Sequence, residues 1–333
     1  MKNLVLFMLA ILLVGGCDTK RESIGGDNEI VVITAPESKQ MIGSVLRAIF
    51  TDTVFTPQPE PVYELKFANP EGFTKLQRQT NLVIGSIGDD LTNPGTKLVH
   101  QLLGEEKFTE TLAGDQHIIF TRDQFAGNQL FMIISAASLI DFEKEITAKS
   151  KWIRKTFDEK YESRQKKYLF GSTRQKKIEK RFLSDYGWTI NIPWGWVIIK
   201  EIPDSNFVWL GREMPYQWLS VQWEDGLTTH DSLTAAEKLW QYPESFYKSI
   251  RFNSYKYSMM ETSFNHWSGW KAVGIWESIE DALGGPFVSY LFYDGITDRT
   301  YKINMIVHYP QKEKTVYLRQ LELIAKSFRV IEQ

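Results

Sequence analysis

Tryptophan is distributed so unevenly along this chain that two separately packed cores are the simplest arrangement. Of the eleven tryptophans in 333 residues, only Trp152 precedes residue 188. A large shift in the composition of bulky apolar residues is typical of two domains, and the length fits two domains of roughly 150 residues each. We therefore expect a first domain at residues 29–183 and a tryptophan-rich second domain at residues 184–333.

Both domains are predicted to combine sheets with helices. In the first, β-branched segments such as residues 29–34 alternate with segments of helical apolar spacing such as residues 41–50. The helical pattern is longest from Ser138 to about Phe182, so this domain should end in a long basic helix. In the second, residues 301–308 alternate as a strand with one apolar face. The predicted fold class is α+β or α/β, with two sandwich-like domains, each a mostly antiparallel or mixed sheet flanked by helices.

The first 17 residues have the pattern of a lipoprotein signal peptide. After Lys2, residues 4–14 are all apolar, and these 11 residues are too few to cross a bilayer, which takes about 20. Gly15 and Gly16 then precede Cys17, the single cysteine of the chain. This order resembles the lipobox of bacterial lipoproteins, in which the chain is cleaved before the cysteine and the thiol carries diacylglycerol. The alternative is an ordinary signal peptide, or an uncleaved apolar N-terminus, with an incidental cysteine.

On the lipobox interpretation, residues 1–16 are removed, Cys17 is the lipid-attachment site and residues 17–28 form a flexible tether. Two or three acyl chains hold a protein at a bilayer, because each buried methylene contributes about 0.8 kcal/mol. We therefore predict a palmitate-carrying lipoprotein of the bacterial cell envelope, at the outer membrane or periplasmic face rather than in the cytoplasm. Its contact with the membrane is the N-terminal lipid anchor.

A basic segment stands out from the overall charge. The net charge of −2 argues against a nucleic-acid partner, yet residues 151–181 hold twelve Lys or Arg and four Asp or Glu. One interpretation is contact of this segment with an anionic partner such as a lipid headgroup, a polysaccharide or a nucleic acid. The alternative is a solvated helical face with ion pairs at i, i+4 spacing. The candidate residues are Lys166, Lys167, Arg174, Lys176, Lys177, Lys180 and Arg181.

The tryptophans of the second domain are candidates for an aromatic groove that binds a sugar, a lipid or a peptide. Strands also favour aromatic residues, so the alternative is that most of these side chains lie in the core. The candidate groove residues are Trp194, Trp196, Trp209, Trp218 and Trp223.

No sequence pattern predicts catalysis, a metal site or a cofactor. No two of the five histidines have the i, i+3 or i, i+4 spacing of helical metal ligands, and one cysteine excludes an intramolecular disulfide or a four-cysteine zinc site. Two S-x-x-K matches, at Ser163 and Ser245, lack the companion S-D-N and K-T-G motifs. Adjacent carboxylates such as Asp89 and Asp90 point to opposite faces of a strand, so adjacency does not make an acid–base pair.

Seven short segments, by their order and spacing, carry a family resemblance. They are Asn28–Val32, Pro57–Pro61, Arg78–Ile84, Asp123–Gln129, Tyr186–Pro193, Gly284–Phe287 and Tyr317–Leu321. Through them the chain resembles the bacterial lipoprotein family of the domain of unknown function DUF4837, over nearly its whole mature length. The second half is also similar in pattern to PsbP-like and Mog-like α/β/α sandwiches, through W-x-I-x-I-P-x-G-W at residues 188–196. The resemblance implies a lipid-anchored envelope protein and brings no assigned activity or catalytic residues.

The sequence therefore predicts a non-enzymatic binding or assembly role in the cell envelope, with a protein partner or a glycan. One alternative is an envelope hydrolase whose site is assembled from distant loops. Another is a purely structural assembly factor that binds no small ligand.

Overall fold

The computed structural model describes residues 20–114, 116–171 and 173–331, which form two compact units. The first unit takes the described residues up to Ile49 together with Glu64–Phe157. The second takes Phe50–Tyr63 and the described residues from Asp158 onward.

This division differs from the predicted boundary at residue 183. The predicted long helix from Ser138 to about Phe182 is three helices, Leu139–Ala148, Ser150–Phe170 and Lys176–Tyr186. The second unit takes the later part of the basic segment. Leu169 and Phe182 are both buried in the core of the second unit, which explains why the division falls earlier. The segment of residues 50–63 also belongs to the second unit, although its sequence position lies within the first predicted domain.

The described residues contain the secondary structure listed here. The strands are β1 (Glu29–Ile33), β2 (Thr53–Val54), β3 (Glu60–Pro61), β4 (Glu64–Ala68), β5 (Asn81–Ile87), β6 (Ile118–Arg122), β7 (Leu130–Ala136), β8 (Trp188–Thr189), β9 (Val197–Ile202), β10 (Phe207–Arg212), β11 (Tyr216–Asp225), β12 (Ile250–Phe252), β13 (Ser258–Phe264), β14 (Trp267–Ser278), β15 (Gly284–Asp294), β16 (Arg299–His308) and β17 (Arg329–Val330). The α-helices are α1 (Lys39–Ile49), α2 (Phe73–Leu76), α3 (Pro94–Leu103), α4 (Glu105–Ala113), α5 (Leu139–Ala148), α6 (Ser150–Phe170), α7 (Lys176–Tyr186), α8 (Ser232–Phe246) and α9 (Thr315–Ala325).

The first unit is built on a mixed sheet in the order β4-β1-β5-β7-β6. The first four strands in this order pair in parallel, and β6 pairs with β7 antiparallel. All seven residues of β7 are buried, which is typical of a parallel strand covered on both faces. Helix α3 begins where sequence rules place it, with Pro94 in its first turn and the Asn93 side chain accepting hydrogen bonds from the Gly95 and Thr96 amides.

The predicted flexible tether is corrected for residues 20–28, because part of this segment is bonded to the first unit. The Ser23 amide donates to the Gly127 carbonyl at 3.0 Å, and the Ile24 amide donates to the Arg78 carbonyl at 2.9 Å. The Ile24 carbonyl in turn accepts from the Thr80 amide at 2.9 Å. Polar composition alone does not distinguish a free tether from a segment whose backbone pairs with loops.

The second unit is built on an antiparallel sheet in the order β12-β14-β15-β16-β11-β10-β9, with β13 also pairing with β14. Helix α9 packs on one face, and helix α8 packs on the other. The alternating residues 301–308 of β16 are all buried. The sequence predicted one apolar face there, whereas both faces are covered, because the polar side chains find partners beneath α8.

The segment of residues 50–63, which we call the strap, lies on the second unit. Strands β2 and β3 pair within it, and Val54 packs against the core beneath α9. The Glu60 carboxylate accepts hydrogen bonds from the Thr315 amide and hydroxyl at 2.9 and 3.0 Å, at the first turn of α9. The predicted fold class is confirmed, with a mixed sheet in the first unit and an antiparallel sheet in the second, each flanked by helices.

Candidate functional site

The predicted signal peptide, residues 1–16, and the predicted lipid-attachment residue Cys17 lie outside the described residues. Within the part of the chain that the structure describes, no helix has the length and hydropathy needed to span a bilayer.

The five candidate groove tryptophans do not lie together, so the predicted five-residue groove is wrong. Trp196 and Trp223 are buried in the core beneath α9, with 1% and 3% of their surface exposed. Trp218 lies on the same strand as Trp223 but five residues away, and an odd separation places the two side chains on opposite faces of the sheet. Trp209 shares the face of Trp218, and Trp194 lies in the turn before β9 with 72% of its surface exposed.

Two of the predicted tryptophans do meet on the α8 side of the sheet. The rings of Trp209 and Trp218 form an edge-to-face pair with centroids 5.3 Å apart. Tyr216 extends this row at 5.1 Å from Trp218, and Tyr247 lies beneath Trp209 at 4.8 Å. We call the half-buried rings of Trp209, Tyr216 and Trp218 the aromatic face. Tyr216 was missed by the sequence analysis, although its position two residues before Trp218 on a strand predicts the same face.

The aromatic face continues to the edge of the sheet. A Cβ atom at Gly211 would lie 2.5 Å from Trp218 Cδ1 and 2.8 Å from Ile199 Cδ1, so the glycine lets both side chains close over the backbone. Ile199 and Val197 belong to the edge strand β9 and are 41% and 57% exposed. Among the described residues, β10 is the one strand that pairs with β9. The result is an apolar surface beside a row of backbone groups available for pairing.

A buried polar cluster lies on the same side of the sheet, beneath α8. Ser220 Oγ lies 2.8 Å from the Tyr242 hydroxyl and 2.5 Å from the Tyr247 hydroxyl, which donates to Asn304 Oδ1 at 3.1 Å. Asn304 Nδ2 donates to Ser289 Oγ at 2.6 Å. Burial raises the pKa of both tyrosines above the ordinary value, so they are neutral at pH 7. The cluster fixes α8 to the sheet by hydrogen bonds and is closed to solvent, since Ser220 and Asn304 are at most 1% exposed.

A charged triad borders this cluster. Glu224 accepts hydrogen bonds from Lys302 at 2.8 Å and from Lys238. Burial alone would raise the pKa of Glu224, but the hydrogen bonds from Lys238 and Lys302 lower it to about 2. Burial lowers the pKa of Lys302, and Glu224 opposes that shift. Glu224 is thus paired with both lysines, and the triad connects α8 to β11 and β16.

The predicted basic patch divides between two helices. Lys166 on α6 pairs with Glu162 at 3.1 Å, and Lys167 lies beside it on the same helix. The other candidates lie on or just before α7, where Arg174 pairs with Glu179 at 3.1 Å and Arg181 pairs with Glu201 at 2.8 Å.

The three remaining lysines of α7 differ from these paired residues. Lys176, Lys177 and Lys180 are exposed, and no carboxylate among the described residues forms an ion pair with any of them. Glu179 and Phe182 occupy the buried side of the same helix. The outer surface of α7 therefore carries positive charge that is balanced only in part.

Each unit has a groove among its described residues. In the first unit, a groove of about 350 Å³ between α1 and α5 has an apolar floor with Val45, Ile49 and Ile146, and Glu143 at its rim. In the second, a groove of about 520 Å³ lies along the β13–β14 hairpin. Within residues 20–114, 116–171 and 173–331, no group of His, Cys, Asp and Glu side chains is placed to hold a metal ion.

Two of the solved structures that match part of this chain are described by function. The Ran-binding protein Mog1p of Saccharomyces cerevisiae is 13% identical, with 44% of this chain and 91% of that chain covered and a TM-score of 0.31. LpqN of Mycobacterium tuberculosis, described as involved in cell envelope biogenesis, is 10% identical, with 44% and 86% covered and a TM-score of 0.29. TM-scores this low support no inference about function. No curated protein matches the chain.

Two family models match adjacent parts of the chain. A model described as "Domain of unknown function (DUF8532)" matches residues 23–170. The sequence predicted a resemblance to DUF4837 over nearly the whole mature chain. That extent is corrected, because the segments quoted from the first half lie within the DUF8532 match. A model described as "Domain of unknown function (DUF4837)" matches residues 172–327. Residues 172–327 therefore match the family of the domain of unknown function DUF4837, and the predicted resemblance is confirmed over these residues.

Proposed function

We propose that this protein is a lipid-anchored protein of the bacterial cell envelope that binds a partner polypeptide and performs no catalysis with the described residues. The anchor is the acylated Cys17 that follows the apolar residues 4–14 and the glycine pair. The binding surface is the outer edge of β9 together with the aromatic face.

The observation that carries the binding role is the exposure of Val197 and Ile199 on an edge strand. Edge strands of soluble proteins are generally protected from pairing by charges, proline or a bulge, and β9 has Lys200 and a shift of register opposite Trp209 and Leu210. Its first three residues are nevertheless apolar. An extended peptide can add to such an edge through backbone hydrogen bonds, with its alternate side chains against the neighbouring apolar surface.

A polypeptide fits this surface better than a glycan does. Backbone N–H and C=O groups along β9 match the spacing of another strand, whereas a sugar requires an exposed ring face on which to stack. The rings of Trp209 and Trp218 are half-buried and in edge-to-face contact with each other, so neither presents an open platform.

The arrangement gives no support to the hydrolase alternative. Ser220 with Tyr242 and Tyr247 is the group that most resembles a nucleophile with a proton acceptor, and it is sealed beneath α8. Both tyrosines keep their protons at neutral pH, so neither serves as a base.

The anchor is tested by metabolic labelling with palmitate. The full chain should incorporate label and fractionate with membranes, and Cys17→Ser should do neither. Equal labelling and fractionation of the two chains would show that the chain is not a lipoprotein.

The binding surface is tested by photo-crosslinking from position 199 in intact envelopes. We expect one discrete protein adduct from position 199 that is lost when Val197→Asp is added. Matched controls are positions 140 and 233, where Ile140 and Leu233 are 77% and 78% exposed and belong to helices α5 and α8 rather than to β9. Adducts at the same partner from all three positions would contradict a specific edge. An adduct that is digested by a muramidase but not by a protease would replace the polypeptide with a glycan.

A further inference from the structure

We propose that one end of the second unit docks on a bilayer that contains anionic phospholipid, with Trp194 and Met214 entering the interfacial region. We call this end the basic tip and define it as Arg174, Lys176, Lys177, Trp194 and Met214. The inference rests on the proposed envelope location and adds a second contact with the membrane that does not involve Cys17.

The pairing of two strands brings the two apolar side chains of the basic tip to the same end of the sheet. Val197 of β9 lies opposite Gly211 of β10 in antiparallel register. Trp194 precedes Val197 by three residues, and Met214 follows Gly211 by three residues. In an antiparallel pair these directions coincide, so both side chains extend beyond the same end of β9 and β10.

Backbone contacts position the positively charged residues of the basic tip at this same end of the sheet. Arg174 forms an isolated antiparallel bridge with Pro193, the residue before Trp194. The Gln175 amide donates to the Ile192 carbonyl at 2.9 Å, and its side chain donates to the Trp196 carbonyl at 3.1 Å. The first residues of α7, which include Lys176 and Lys177, are thereby fixed beside the turn that carries Trp194.

The side chains of Trp194 and Met214 are not needed for the packing of the fold. Trp194 is 72% exposed and Met214 is 77% exposed. Met214 also has a backbone φ of 53°, a left-handed conformation that glycine or asparagine adopts at less cost than methionine. Gly195, next to Trp194, has a φ of 81°, so this turn too is set by the glycine rather than by the tryptophan.

Exposed apolar residues beside lysines are the composition of a surface that lies in a membrane interface. Tryptophan is favoured at the level of the lipid headgroups, and lysines there contact anionic headgroups while their methylene stems lie along apolar surface. Scattered exposed apolar residues are ordinary on soluble proteins. Two of them at one end of a sheet, next to unpaired lysines, favour a membrane over an acidic protein, which would use the lysines without the tryptophan and methionine.

The test is co-sedimentation with vesicles of phosphatidylcholine alone or of equimolar phosphatidylcholine and phosphatidylglycerol. It uses residues 18–333, which keep every described element and lack Cys17. We expect binding to the phosphatidylglycerol vesicles, weakened by salt. The double variants Trp194→Ala with Met214→Gly and Lys176→Glu with Lys177→Glu should each weaken binding by about tenfold or more.

Matched controls separate the basic tip from general surface properties. Ile140→Ala with Leu233→Ala removes two side chains of similar exposure, and Lys97→Glu with Lys107→Glu reverses two exposed lysines of the first unit. Both should bind as the unmodified chain does, and unchanged thermal unfolding should show that the tip variants are folded. Absence of binding by the unmodified chain would overturn the proposal. So would loss of binding in the lysine variant alone, because this means adsorption by charge without insertion.

The result of the vesicle-binding test does not depend on the proposed lipid anchor. Palmitate labelling of the full chain reports on Cys17, whereas vesicle binding by residues 18–333 reports on the basic tip. A labelled chain whose residues 18–333 do not bind vesicles would keep the proposed anchor and remove the docking proposal.

Discussion

The Glu60 carboxylate caps helix α9 through the backbone amide of Thr315, 255 residues later in the chain. The same oxygen accepts the Thr315 hydroxyl, and the other carboxylate oxygen lies 3.0 Å from Lys314 Nζ. A negative charge at a helix N-terminus is stabilised by the unpaired amides and the helix dipole. The cap that most helices receive from an adjacent residue is here supplied by the strap.

Removal of this cap should destabilise the second unit. We expect Glu60→Ala to lower the free energy of unfolding by about 1–2 kcal/mol, since the Lys314 and Thr315 amides and the Thr315 hydroxyl lose their acceptor. Glu313→Ala removes an exposed carboxylate at the same helix end and should change the free energy by less than about 0.5 kcal/mol. Equal effects of the two substitutions in urea unfolding would show that only the charge near the helix matters.

We expect Arg319 to be the second residue that holds the strap on the second unit. Its guanidinium lies 3.4 Å from the ring centroid of Tyr161 and donates to Asp158 at 3.1 Å and to the Tyr63 hydroxyl at 3.2 Å. We expect Arg319→Lys to cost about 1–3 kcal/mol, because an ammonium keeps the charge but loses the planar stacking and the forked donors. Limited proteolysis should then cut within residues 50–63 faster than in the unmodified chain. Unchanged proteolysis would contradict the role of Arg319 in holding the strap.

The Glu224 triad should make stability depend on pH. The pKa of Glu224 is lowered from 4.5 to about 2 in the folded protein, so its ionised form stabilises the fold above pH 4.5. This stabilisation is lost as the pH falls from about 4.5 to about 2. Glu224→Gln should be less stable than the unmodified chain at pH 7 by about 1–2 kcal/mol, and the difference should shrink across that window. A difference that stays constant between pH 7 and pH 3 would show that the glutamate acts by shape alone.

The buried hydrogen-bond cluster of Ser220, Tyr242 and Tyr247 should contribute to stability in proportion to the hydrogen bonds that a substitution removes. Ser220→Ala leaves two tyrosine hydroxyls without their shared partner and should cost about 2–3 kcal/mol. Tyr242→Phe removes a single bond, since Ser220 still contacts Tyr247, and should cost about 1 kcal/mol. Chemical denaturation followed by tryptophan fluorescence measures both. A smaller effect for Ser220→Ala than for Tyr242→Phe would mean that the tyrosines find other partners.

Alternation of apolar and polar residues predicted strands of the fold, but it did not predict which strand faces are covered. The alternation of residues 301–308 identified β16, but not the covering of its polar face, because Lys302 is satisfied by Glu224 from a strand about eighty residues earlier. The same alternation predicts that the candidate groove tryptophans do not all share one face of the sheet. Trp218 and Trp223 are separated by an odd number of residues on one strand, which already excludes a shared groove.

The strap was not predictable from local pattern. Residues 57–61 read as a proline-rich connection, and nothing near them in sequence indicates that Glu60 meets Thr315 or that Tyr63 meets Arg319. Both pairs depend on contacts formed across more than 250 residues, and local periodicity carries no such information. For the same reason the sequence placed the strap in the wrong unit.

The strap also sets an order of events during synthesis. Glu60 leaves the ribosome long before Thr315 has been translated, so for most of the chain's synthesis the strap has no helix to cap. The second unit is therefore completed only after α9 has been translated, and a product truncated before α9 leaves Glu60 without the Thr315 amide and Tyr63 without Arg319.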